Sequence, residues 1–383
     1  MSSEKFIQNK TALTTLIAAC IVVLISLGVR QTFGLFFIDF KNDLNISTTQ
    51  AGLAIGIQML MWGLTGPIFG AMADKYGGHK VICLAFIFYI SGIYLLYSGP
   101  NTGIFFQFDL GILVGIGLGG TAISIPMSIV GKHFPLSSRT IAMGIVTAVG
   151  SMGYFISPLY TSYSLIENGW VETLFVFMIF LFIGLTVAFF VKSPSLAQSI
   201  EKPNDQSTLD ALKEALKNKS YILLLSGFFV CGFHITLVGT HVPKYVIDRG
   251  LENWTAAAIL SLIGLFNIFG SLLSGYLSTK ISKKIILSAI YALRGISIIL
   301  FIFLPASNIN AFIFGASFGF LWLSTVPATS GIVAHIFGTK YLGVLYGIVF
   351  LSHQVGSFFG AFLGGLFHDL YGSYDYAWYL AIA

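Results

Sequence analysis

The chain has 383 residues, 56% of them hydrophobic and only 9% charged, with a formal net charge of +5. Soluble globular domains carry roughly 25% charged residues, so a water-facing surface cannot be built from this composition. A ~30 Å hydrocarbon core is crossed by about 20 apolar helical residues at 1.5 Å each, and runs of that length fill the sequence.

In chain order these runs predict membrane spans at 11–38, 49–73, 80–98, 103–132, 138–164, 171–191, 219–246, 254–279, 284–304, 309–337 and 341–367, with a twelfth from 375 onward. The twelfth has nine residues before Ala383, about half a crossing, so the natural C-terminus is expected to lie further on. Span one follows Lys5 and Lys10 and contains Ile17-Ala18-Ala19-Cys20, which fits a lipoprotein cleavage box. The apolar run continues to Val29, longer than a signal peptide's 7–15-residue core, which favours a span. Cys20, Cys83 and Cys231 all fall inside spans, read as packing residues rather than a disulfide or metal framework. Small residues recur every four positions at Gly66 and Gly70, at Gly111, Gly115 and Gly119, and at Gly356, Gly360 and Gly364, a spacing that brings helix backbones close. The string from Gly115 to Gly120 also fits a dinucleotide fingerprint, but it lies mid-span with no preceding strand.

The one long hydrophilic stretch, Lys192 to Lys219, divides the chain into a six-helix half at 1–191, a linker at 192–218 and a second six-helix half at 219–383. Within the linker, Thr208 to Lys217 reads as a short interfacial helix, with Leu209, Leu212 and Leu216 opposite Lys213 and Lys217. Apart from Lys41, Lys244, Arg249 and the intramembrane Arg30 and Arg294, every lysine and arginine falls on one side of the twelve-span topology. That asymmetry places the N-terminus in the cytoplasm of a multi-pass protein of the cytoplasmic membrane, and it accounts for the positive charge without nucleic acid.

The halves repeat. Gly144-Ile145-Val146 with Gly153 answers to Gly347-Ile348-Val349 with Gly356, offset by 203, and Pro126 answers to Pro327, offset by 201. Fixed offsets between distant anchors mark an internal duplication. Parallel six-helix halves are a transporter arrangement with the substrate site at the midplane between them.

The loop after span two reads GAMADKYGGHK, with Gly70, Asp74, Lys75, Gly77 and Lys80 in register, and its second-half copy has Thr279 in place of the acid. It resembles the signature loop of the major facilitator superfamily. From His133 to Gly153 the sequence looks like the fifth-helix motif of monocarboxylate transporters and their oxalate/formate antiporter relatives. RQTFGLFF in span one and the run from Gly227 to Gly250 in span seven are similar to bacterial members of that group. The Gly- and Trp-rich first-helix motif of the animal members is absent, and span eight lacks the arginine that grips the substrate carboxylate in the family. The resemblance implies an all-α major facilitator fold of two pseudo-symmetric six-helix halves. It also implies a charge network at the cytoplasmic gate drawn from the loop residues and Arg139.

An ion at the bilayer centre costs roughly 2.5–3.5 kcal/mol even on lenient scales, so intramembrane ionisable groups are the candidates for function. Arg30 shares its face with Ser26, Phe33, Gly34 and Phe37, and Arg294 lies near the middle of span nine. Either guanidinium suits an anionic substrate, and either could instead brace helix carbonyls; cavity lining is favoured for Arg30 and bracing for Arg294. His234 and His241 lie seven residues apart in span seven, and His353 adjoins Gln354 in span eleven. His234 and His353 are the candidate carriers of a coupling proton. His353 could equally be a packing residue on the glycine stripe, and His241 an ordinary interfacial histidine. Further polar candidates are Gln58, Tyr154, Asn267, Ser324, Thr325 and Tyr346. No acid lies deep in a span, with Asp109 coming nearest.

These features give the expectation of a secondary active transporter, not an enzyme, with no cofactor or metal and a monomeric state. Its cargo is a small organic anion, a monocarboxylate for preference, taken up by alternating access with a proton as the candidate coupling ion. Carboxylate exchange, efflux of hydrophobic compounds, and a non-transporting receptor on the same fold are the alternatives.

Overall fold

The computed structural model describes residues 10–99, 103–192, 208–338 and 342–383. Most of the linker, the N-terminal Lys5 and the charge-bearing Lys340 lie outside the described residues. All regular structure among the described residues is helical. Among the described residues, ten helical segments are long and apolar enough to cross a membrane, from Lys10–Leu44 to Gly343–Tyr371. One of them, Leu136–Ala188, holds spans five and six, because Gly169 at φ 84° breaks its 53 residues. Thr173 Oγ1 donates to Ser164 Oγ at 2.8 Å, and the Tyr160 and Phe180 rings meet at 5.8 Å, as expected of a hairpin. Asp375–Ile382 forms the twelfth segment.

Three spans are less regular than hydropathy suggests. Span one runs as Lys10–Gln31, a 3-10 turn at Phe33–Phe36, and Phe37–Leu44. The Thr32 hydroxyl takes the Val29 carbonyl at 2.9 Å where the α-helical ladder gives way. Span four includes a π-helical stretch, Gln107–Leu113, and then breaks between Thr121 and Ser124; span ten breaks between Leu321 and Thr325. The breaks in spans four and ten occupy matching positions of the repeat, a few residues before Pro126 and Pro327, whose rings cannot donate to the ladder.

The chain divides into two compact units, Met1–Asn45 with Met61–Ile200, and Ile46–Leu60 with Glu201–Ala383. Span two is therefore shared, its first part belonging to the second unit. Inside the first unit, spans one and five cross at Gly153, where a Cβ would lie 2.3 Å from the Leu24 carbonyl oxygen. Inside the second, spans seven and eleven cross in the same way at Gly356, where a Cβ would lie 1.9 Å from the Phe229 carbonyl oxygen. Without a hydrophobic drive between helices in lipid, such backbone contact supplies the packing energy. The linker helix Thr208–Lys217 forms as expected, but a different face is turned inward: Ala211 and Ala215 are buried while Leu216 stays exposed.

Candidate functional site

Arg30 ends the first helix of span one, just before the 3-10 turn, and is buried. Its Nη1 donates to Gln31 Oε1 at 3.1 Å, and the guanidinium lies 6.0 Å from the centre of the Trp62 ring. The buried Tyr154 phenol is hydrogen-bonded to the same guanidinium. Beside it Tyr89 donates to the Ser26 carbonyl at 3.1 Å, and the Ser26 and Thr121 hydroxyls meet at 2.6 Å. A guanidinium can only donate. This corner of the first unit thus presents a fixed positive charge among aromatic faces and hydroxyls, chemistry suited to a carboxylate.

In the second unit the polar candidates gather on the break in span ten. Arg294, fully buried, donates from Nε and Nη2 to the Leu321 carbonyl at 3.2 and 2.7 Å, and from Nη2 to the Trp322 carbonyl. Asn267 Oδ1 accepts from the Leu323 amide at 3.0 Å, and Ser274 Oγ donates to the Ser324 carbonyl at 2.5 Å. Side chains from spans eight and nine thus satisfy the backbone groups that the break frees, which a buried helix end requires. The remaining arm of Arg294, Nη1, points to the Cys231 sulfur at 3.2 Å. That sulfur also lies 3.3 Å from Thr325 Oγ1. His353 Nδ1 meets Gln354 Oε1 at 3.2 Å, and its ring stacks on Phe350 at 5.9 Å.

His234 stands apart from this group: its Nε2 donates to the Ala381 carbonyl at 2.7 Å, and it lines an apolar cavity of about 580 Å³ with Phe229, Phe233, Tyr291 and Leu380. A neighbouring groove of about 630 Å³ carries Lys283, Lys284 and His335 at its rim. The matching surface of the first unit is covered by span six. There Gly184 lies against the Phe86 ring, and His133 Nε2 donates to the Lys192 carbonyl at 2.6 Å. His241, read from sequence as interfacial, is fully buried and donates to the Ala361 carbonyl at 2.7 Å.

In the signature loop, Gly77 at φ 95° makes the turn into span three. Asp74 pairs with Lys132 at 2.5 Å, a partner that sequence reasoning missed, while Lys75 lies over the Tyr76 ring at 5.1 Å. Lys80 and Arg139 are exposed, and neither pairs with Asp74 among the described residues. At the far end of span seven Lys244 holds Asp248 at 2.7 Å, and His368 Nε2 reaches Asp248 at 3.3 Å. Burial, with the Asp248 and Asp369 carboxylates nearby, pushes the adjacent Tyr374 phenol well above its ordinary value.

Residues 19–361 match the Major Facilitator Superfamily. The chain belongs to that superfamily. It is a multi-pass membrane transporter of the secondary class, and not an enzyme. The fold of this facilitator is also that of a bacterial homolog to the human lysosomal transporter Spinster, with a TM-score of 0.74 at 18% identity over 95% of this chain and 84% of that one. Monocarboxylate transporter 13 of Rattus norvegicus is 24% identical over 366 residues, 92% of this chain and 82% of its own. Agnestins efflux protein AgnL12 of Paecilomyces divaricatus is 22% identical over 374 residues, 94% and 82%. The oxalate:formate antiporter of Oxalobacter formigenes is 23% identical over 361 residues, 93% and 85%. These three relatives thus differ in the cargo their names carry while each matching more than nine tenths of this chain.

Proposed function

We propose that this facilitator takes up a small organic anion, a monocarboxylate, by alternating access across the cytoplasmic membrane with its N-terminus inside, and that a proton accompanies it. The observation that carries this reading is the setting of Arg30, a buried guanidinium bonded to Gln31 and Tyr154 and facing the Trp62 ring. Such a charge is costly inside a membrane unless it serves a ligand or a brace, and a planar fork of donors matches a carboxylate. The names of the monocarboxylate transporter and the oxalate:formate antiporter among its relatives support the substrate class. In this reading Arg30 and Tyr154 contact the carboxylate, His353 and Gln354 serve the second unit's side of the transport cycle, and Arg294 and Asn267 hold span ten in shape.

Thermal melting of the purified protein against small carboxylates, neutral analogues and amines tests the class, because a ligand of the folded state raises the melting temperature. Stabilisation confined to carboxylates, lost in Arg30→Gln, is the expected result. Shifts from neutral or cationic compounds alone would replace this reading with efflux.

The antiporter relative favours exchange as the second reading. Counterflow in preloaded vesicles separates the two, since an exchanger needs substrate on both sides.

A further inference from the structure

His368, in the last turn of span eleven, sets one ring nitrogen against each of two carboxylates: Nε2 lies 3.3 Å from Asp248 Oδ2, and Nδ1 lies 3.3 Å from Asp369 Oδ1. A neutral imidazole carries a single N–H, so it can donate to one of them only and turns a lone pair toward the other. The imidazolium donates to both. The balance of charge leads to the same state. Lys244 Nζ donates to both oxygens of Asp248 at 2.7 Å, whereas Asp369 Oδ2 accepts from the amide and hydroxyl of Thr49, which carry no charge. Lys244 thus balances one carboxylate, and a proton on His368 balances the other. From span seven the ring faces Lys244 and Asp248, from its own helix Asp369, and from the start of the twelfth segment Tyr374, whose ring lies 4.7 Å away and also meets that of His241 at 5.3 Å. Span two brings only the uncharged Thr49.

The carboxylate that His368 holds is also the cap of span two. Along that seam the two helices meet backbone to backbone: a Cβ on Gly365 would lie 2.3 Å from the Thr48 carbonyl oxygen, and one on Gly52 would lie 2.3 Å from the Ala361 carbonyl oxygen. By sequence span two belongs to the first half, yet its start, Ile46–Leu60, belongs to the second unit. We propose that His368 is a proton-binding site at the end of span eleven that the proposed topology makes external, and that its imidazolium latches span seven to span eleven and, through Asp369, to the start of span two. The step is the gain or loss of one N–H proton, exchanged with water. Its loss leaves the ring one donor for two carboxylates, so the tie between Asp248 and Asp369 opens. The latch is therefore closed in acid and released as the pH rises through the titration of the ring. His368 is a positioning residue, holding Asp369 on Thr49 without touching cargo. The part of the latch in the transport cycle rests on the alternating access proposed above, in which the two halves move against each other; the proton site itself does not.

Site and latch are tested separately, and neither test uses a substrate, so a failure of the carboxylate reading leaves both standing. In the detergent-purified full chain with isotope-labelled histidine rings, the magnetic resonance signal of His368 is the one missing from His368→Gln or from His368→Asn. It is expected to titrate between mildly acidic and mildly alkaline pH, and Asp248→Asn is expected to move its midpoint to lower pH. A His368 signal that does not titrate, or a midpoint indifferent to Asp248→Asn, overturns the proton site. For the latch, Ala51→Cys, at a buried position in the first turn of span two, is introduced with Cys20→Ala, Cys83→Ala and Cys231→Ser and labelled by a water-soluble maleimide, each rate divided by that of the unfolded chain at the same pH. Labelling is expected to quicken several-fold from acid to alkali, and His368→Gln is expected to label fast throughout; Asp248→Asn takes its place where that variant does not fold. A rate indifferent to pH, or a pH dependence that survives the loss of His368 or of the Asp248 charge, overturns the latch.

Discussion

The Asp369 carboxylate sits on the first turn of span two, where its Oδ2 accepts from both the amide and the hydroxyl of Thr49, at 2.7 and 2.6 Å. A helix start leaves its first amides without partners, and here the cap comes from span eleven, 320 residues away in sequence. Asp369→Ala removes it. Losing such a cap costs about 0.5–2 kcal/mol, so the variant should melt below the wild type. Thr49→Ala should cost less, and the double variant should fall short of the sum because the two residues share one interaction. Additive losses would show that the contact contributes nothing in solution.

Arg294 makes a contrasting prediction. Its guanidinium closes the carbonyls of Leu321 and Trp322, so Arg294→Met should expose both without relief from solvent. Each buried polar group left without a partner costs about 1–3 kcal/mol, and the thermal stability should drop accordingly. Arg294→Lys should recover only part of it, since an ammonium cannot fork across two carbonyls and a sulfur. A fully stable Arg294→Met that has lost ligand binding would move Arg294 from brace to substrate contact.

Much of the architecture was legible because lipid imposes a length and an apolar composition on every crossing, and because the duplication shows as repeated glycines and prolines at fixed offsets. The linker helix could be bounded, but not the face it buries: Ala211 and Ala215 turn inward because neighbours press close there, which periodicity alone does not reveal. The breaks in spans four and ten were hidden, since Pro126 and Pro327 mark a weak ladder without saying which side chains mend it. Arg30 and Arg294 stood out as charges in an apolar run, yet the difference between them lies in tertiary partners, Tyr154 and Trp62 for one and the Leu321 and Trp322 carbonyls for the other. Cys231 read as packing because a cysteine in a span is ordinary. Only the convergence of spans seven, nine and ten brings Arg294 and Thr325 to it.

The crossings at Gly153 and Gly356 should tolerate no side chain. In Gly356→Val the new Cβ would meet the Phe229 carbonyl oxygen and backbone, which cannot rotate away, so the spans must separate. Overpacking of this kind costs typically 1–3 kcal/mol and often more where backbone is the obstacle. Gly347→Ala is the control, because nothing lies within 4 Å of its added carbon and the helix gains propensity. Folded yield after detergent extraction should fall for Gly356→Val and hold for Gly347→Ala; equal yields would mean that spans seven and eleven do not pack this closely.

The two histidines proposed as proton carriers can be told apart by pH. His234 Nε2 donates to the Ala381 carbonyl, an acceptor with no proton to return, and its buried Nδ1 has no hydrogen-bond partner among the described residues. His353 Nδ1 instead donates to Gln354 Oε1 at 3.2 Å, which makes Nε2 of its neutral ring the acceptor. His234→Gln can keep a donor on the same carbonyl, so it should leave the pH dependence of uptake unchanged at a modest cost in stability. His353→Gln should flatten that dependence, since an amide cannot take up a proton as an imidazole nitrogen does. The measurement is initial uptake rate against external pH for wild type and both variants in the same vesicles. A profile flattened by His234→Gln and untouched by His353→Gln would transfer the proton to span seven alone and remove span eleven from the coupling.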